Sequence, residues 1–177
     1  MMVRVNRLLL SVFLLSFSTL PFFANNALAQ AALTVGDKAP ELSLPSPKGD
    51  SVSLQSLRGR VVLIDFWASW CAPCIQEQPV LAAIYKKYKH RNFKSGKGFE
   101  IYGVSLDNKK ERWLAAIKKS KITWTQVSDL KFWNSKAAKI YGIEELPYNL
   151  LIDENGTVIA VNLHGDEMER TLSELVQ

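Results

Sequence analysis

Val61-Val62-Leu63-Ile64-Asp65-Phe66-Trp67-Ala68-Ser69-Trp70-Cys71-Ala72-Pro73-Cys74 is the stretch from which the fold can be read. Residues 61–67 are apolar or β-branched except for one acid, the pattern of a central strand covered on both faces. Two cysteines follow, and a helix is expected from Ala72 with Leu81, Ile84, Tyr85 and Tyr88 on one face. A strand running into a helix puts both sulfurs at the helix N-terminus, where unpaired N–H groups and the helix dipole favour an anion. Cys71 is therefore read as the attacking thiolate. Cys74 lies within one helical turn, so it can resolve a mixed disulfide internally, and Pro73 helps to fix the turn.

Outward from this core, Phe99 to Ser105 reads as a second strand and residues 108–120 as a helix with Trp113, Leu114 and Ile117 on its apolar side. Such βαβα alternation argues for a mainly parallel sheet with helices on its faces. Residues 124–127 are expected as a short strand, 135–141 as a short helix, and 148–153 and 157–161 as strands joined by Glu154-Asn155-Gly156, a strong hairpin signal. Met168, Leu172, Leu175 and Val176 belong to a closing amphipathic helix. Upstream, residues 40–44 and 51–54 are expected to pair across Lys48-Gly49-Asp50, with a helical turn at Leu57-Arg58-Gly59-Arg60. The basic run from Lys86 to Lys97 reads as a solvated helix end and loop.

Residues 1–29 are set apart as a secretory signal peptide: Arg4 and Arg7 precede the apolar run Leu8 to Leu20, and Ala27-Leu28-Ala29 offers small residues for cleavage. Residues 30–38 form a linker and 39–177 one domain. An uncleaved anchor is the other reading, since apolar residues continue past Pro21, but either way the folded part lies outside the cytoplasm, in the periplasm or beyond. The formal charge of +5 falls by two with Arg4 and Arg7, and no dense Lys/Arg stripe supports nucleic-acid binding.

A static Cys71–Cys74 bridge would close a loop too small to remove much unfolded-state entropy. A zinc site would need further ligands, and besides carboxylates only His90 and His164 are available, not at zinc-finger spacing. No metal is expected.

The segment from Ile64 to Cys74 resembles the active-site strand and turn of the thioredoxin superfamily. Its exported TlpA/ResA-like branch is the nearest fit, given the signal peptide, the lead-in from Pro40 to Leu57, Val104-Ser105-Leu106-Asp107, and Leu146-Pro147 running into Leu151-Ile152-Asp153. The resemblance spans residues 35–176. It implies a thioredoxin-like α/β fold, a central mixed β-sheet flanked by helices, with an N-terminal β-hairpin extension. It implies that Pro147 occupies the cis-proline position facing the dithiol, with Leu146 offering its backbone to a substrate strand. Trp70 becomes a docking surface at the rim while Trp67 packs in the core, and Ala72 and Pro73 complete the surface a substrate meets. Asp65 matches a buried acid that assists proton transfer at the resolving cysteine; the other reading is a strand-end acid facing solvent. Glu77 matches a glutamate that tunes cysteine acidity; the other reading is an exposed first-turn Glu favoured by the dipole. Pro79 matches a helix proline expected to kink its helix.

The implied activity is dithiol–disulfide exchange that reduces disulfides of exported proteins, apocytochrome c among them. Cofactors are none beyond the redox-active Cys71–Cys74 pair, and electrons come from a membrane donor of the DsbD/CcdA type. Rival readings are a disulfide oxidase or isomerase of the same fold, and a peroxiredoxin-like peroxidase, against which Ala68 stands where Thr-x-x-Cys would need threonine. A copper-delivery protein would need wider cysteine spacing, and only His164, otherwise a loop residue, could serve it.

Overall fold

β3 (Val61–Trp67) is the central strand of a five-stranded sheet and is buried along its whole length, as its apolar run requires. The computed structural model describes residues 32–177, so the signal-peptide reading of residues 1–29 lies outside the described residues. Among these, no helix is long and apolar enough to cross a membrane.

β6 (Phe99–Ser105) runs parallel to β3 on one side and β8 (Tyr148–Ile152) antiparallel on the other. β7 (Thr125–Val127) adds in parallel to β6, and β9 (Val158–Val161) adds antiparallel to β8 through the Asn155-Gly156 turn. Side chains of β3 alternate between two cores. Val61, Leu63 and Trp67 pack with α1 (Ala72–Tyr88), Trp113 of α2 (Lys110–Lys119) and α4 (Gly165–Leu175). Val62, Ile64 and Phe66 pack against α3 (Lys136–Tyr141) and the hairpin of β1 (Ser43–Pro45) and β2 (Ser51–Ser53). The fold is the thioredoxin-like mixed sheet with a hairpin extension.

The structure corrects the upstream helical turn, which is a 3-10 turn at Leu54–Leu57 and not at Leu57 to Arg60. Ser53 caps it through its hydroxyl, which accepts the Gln55 N–H at 3.1 Å. The basic run is also more ordered than a loop, because β4 (Asn92–Phe93) and β5 (Gly96–Lys97) form a small hairpin within it.

One glycine is dictated by close approach. A side chain on Gly103 of β6 would place its Cβ 2.1 Å from the Gln126 amide nitrogen, whose own oxygen accepts the buried Trp67 indole N–H at 2.9 Å. The Gln126 amide can hold this position against the Trp67 indole only because residue 103 has no side chain.

Candidate functional site

Strand direction gathers the candidate residues at one edge of the sheet. β3, β6 and β7 end there, β9, antiparallel to β8, ends there as well, and β8 begins there. Cys71, Asp107, Leu146-Pro147 and His164 therefore converge although they lie far apart along the chain.

Cys71 is the N-cap of α1, in extended backbone, and its sulfur accepts the Cys74 N–H at 3.2 Å. The helix start thus aims a backbone donor at this sulfur, the position at which negative charge is best supported. Cys71 and Cys74 are joined as a disulfide with Cα atoms 5.3 Å apart. Cys71 is 5% exposed and Cys74 1%, so the first cysteine is the more accessible. The turn before them is braced by Asp107, whose carboxylate accepts the Ser69 N–H at 3.0 Å and the Ser105 hydroxyl at 2.7 Å.

Asp65 is 2% exposed, so the strand-end reading fails and the acid is buried. It alternates with Leu63 and Trp67, which places it on the face of β3 that supports α1 and Cys74. One of its oxygens, Oδ2, has no hydrogen-bond partner. Removal from water, and secondarily the Glu77 carboxylate, push its pKa up to about 8.

Glu77 is not an exposed first-turn glutamate either. Only 13% of its side chain is open, and Oε1 lies 2.8 Å from Nδ1 of His164. His164 lies, as expected, in the link after β9, at the N-cap position of α4 in extended backbone, but its ring is engaged by Glu77. The sequence carried no signal for this pairing.

The Leu146–Pro147 peptide is cis. Register sets Tyr148 opposite Phe66, so Pro147 is level with the end of β3, just ahead of the cysteines. Ala72 and Pro73 are exposed between the two sulfurs. Trp67 is buried, whereas Trp70 is 42% exposed and lies with Phe132 and Trp133, at ring-centroid distances of 5.2 and 6.1 Å. Those two aromatics were not anticipated as part of the rim. Trp70 also lines a groove of about 360 Å³ with Ser69, Ile75, Ala116, Arg112 and Lys119. α1 continues through Pro79 from Ala72 to Tyr88. Among the described residues, no three His, Cys, Asp or Glu side chains come together as a metal ion would require.

This arrangement can hold a sulfur anion, present a partner sulfur within the same turn, and supply a proton-exchanging group beneath. Residues 35–161 match the AhpC/TSA family. The chain is 29% identical over 150 residues to the thiol-disulfide oxidoreductase ResA of Bacillus thuringiensis subsp. konkukian, covering 82% of this chain and 78% of that protein. Its fold matches the thioredoxin domain of a thiol-disulfide oxidoreductase from Bacteroides vulgatus with a TM-score of 0.75 at 36% identity, over 82% of this chain and all of that one. A thiol-disulfide oxidoreductase from Bacteroides fragilis matches with a TM-score of 0.70 at 38% identity, over 78% of this chain and 99% of the other.

Proposed function

Because the chain belongs to the AhpC/TSA family and is a thiol-disulfide oxidoreductase, we propose that it acts as an exported reductant of protein disulfides, apocytochrome c among its substrates. The observation that carries the chemistry is the N-cap sulfur of Cys71, which faces the Cys74 N–H at the start of α1.

In the reduced protein the Cys71 thiolate attacks one sulfur of a substrate disulfide. The substrate S–S bond breaks, a mixed disulfide forms, and the departing substrate thiolate takes a proton from solvent. Cys74 then gives its proton to the ionised fraction of Asp65 and attacks the Cys71 sulfur; the bond from Cys71 to the substrate breaks, the second substrate thiolate leaves and takes a proton from solvent, and the Cys71–Cys74 disulfide remains. A buried carboxyl with pKa about 8 exchanges protons near neutral pH and so suits this step in either direction. Trp70, Ala72, Pro73 and the Leu146-Pro147 loop form the surface on which the substrate strand lies. The pair is recharged by a membrane donor of the DsbD/CcdA type, since an exported dithiol runs down in an oxidising compartment, and no metal, flavin or nucleotide takes part. Residues 1–29 direct export, and the mature domain, 39–177 after the 30–38 linker, works in the periplasm as a soluble protein.

Equilibration with glutathione tests the direction. A reductant should have a potential more negative than roughly −200 mV, while a value near that of strong oxidants, about −120 mV, would make the protein a disulfide-forming catalyst.

A further inference from the structure

Glu77 lies one turn beyond Cys74 on α1, and its nearly enclosed carboxylate has one partner among the described residues, the imidazole of His164. A carboxylate held out of water without a partner is costly, so this contact governs where the charge sits. His164 is suited to reach it. Its backbone is extended (φ −135°, ψ 152°), and its ring makes no capping bond to α4, leaving Nδ1 to face Glu77 at 2.8 Å. Nε2 lies 3.0 Å from the side-chain amide of Asn162, a group that donates or accepts by turning over and so accommodates either form of the ring. Asn162 itself has a positive φ of 53°, a conformation asparagine tolerates better than most residues.

The ring of His164 meets Glu77 of α1 and the neutral Asn162 that follows β9, and the α4 turn that begins after it carries Asp166 and Glu167. On β3 lies the buried Asp65, on which the Glu77 charge acts through space. The side chain that His164 contacts is therefore also the one whose charge reaches this acid.

Resting on the dithiol reading above, we propose that His164 is a positioning residue of the exchange reaction: through its 2.8 Å contact it holds the Glu77 carboxylate in place and so fixes where that group sits relative to Asp65 and the cysteines. Without His164, the Glu77 carboxylate loses its one contact among the described residues and acts unrestrained on Asp65 and the sulfurs. The Asp65 proton is then held more tightly and a thiolate is disfavoured, because like charges oppose ionisation.

The test is the rate at which the reduced full chain exchanges with a small disulfide, followed from pH 5 to 9. His164→Leu should slow exchange roughly threefold at pH 7, matching a rise of about half a pH unit in the rate midpoint. His164→Gln, which keeps a donor toward Glu77, should recover much of the rate and shows that the effect is not one of misfolding. In a Glu77→Gln background His164→Leu should change neither rate nor midpoint, since the residue acts through Glu77. An unaltered pH profile in His164→Leu, or an equal shift in the Glu77→Gln background, overturns the proposal while leaving the oxidoreductase reading intact. Failure of the wild-type chain to exchange at all would overturn that reading instead.

Discussion

Replacing Asp65 by Asn removes one buried ionisable group at almost constant shape, and its effect on stability can be worked out from the structure. In the unfolded chain this carboxyl loses its proton near its ordinary value of 3.8, whereas burial holds the proton in the folded chain until about pH 8. Between these values the folded state binds more protons, so wild-type stability falls as pH rises from about 4 to 8 and levels off above. At pH 7, some three pH units above 3.8, the loss approaches about 4 kcal/mol at about 1.4 kcal/mol per pH unit. Asp65→Asn escapes it. The variant should match wild type at pH 4 and exceed it by a few kcal/mol at pH 7, read by urea unfolding of the disulfide form at a series of pH values. Its disulfide exchange at neutral pH should meanwhile slow, because the proton acceptor for Cys74 is gone. Parallel stability curves for the two proteins across pH 4 to 8 would refute the claim that this carboxyl is held protonated.

Other substitutions probe separate parts of the account. Glu77→Gln should lower the pKa of Asp65, since the Glu77 charge is a secondary cause of its rise, and the stability curve against pH should move toward acid. Trp70→Ala should raise KM for protein disulfides while sparing small ones, because Trp70 with Phe132 and Trp133 forms an exposed aromatic rim beside the cysteines; equal losses on both substrates would deny it a docking role. Gly103→Ala should cost about 1–3 kcal/mol in chemical denaturation by driving Gln126 off the Trp67 indole.

The central strand and the helix after it were legible because their signals are local and long: seven residues covered on both faces, then apolar positions recurring at helical spacing. The side taken by Asp65 is implicit in its alternation with Leu63 and Trp67, once the strand is known to be buried. The hairpin of β4 and β5 was not legible, since two-residue strands carry no period. It is held by distant partners instead, Lys97 N–H on the Gly59 carbonyl and Lys94 N–H on that of Leu175. The 3-10 turn was misplaced because Ser53 ends a strand and caps a helix at once. His164 was missed for a similar reason, as its partner lies 87 residues away and meets it only when α1 and α4 start at the same edge.

The exchange reaction depends first on which sulfur attacks. Reduced Cys74→Ser protein, mixed with a disulfide-containing protein and analysed by non-reducing mass spectrometry, should accumulate a mixed disulfide at Cys71, and Cys71→Ser should accumulate almost none. Adducts that form equally through either cysteine, or through neither, would contradict the assignment of the helix-capping sulfur as nucleophile.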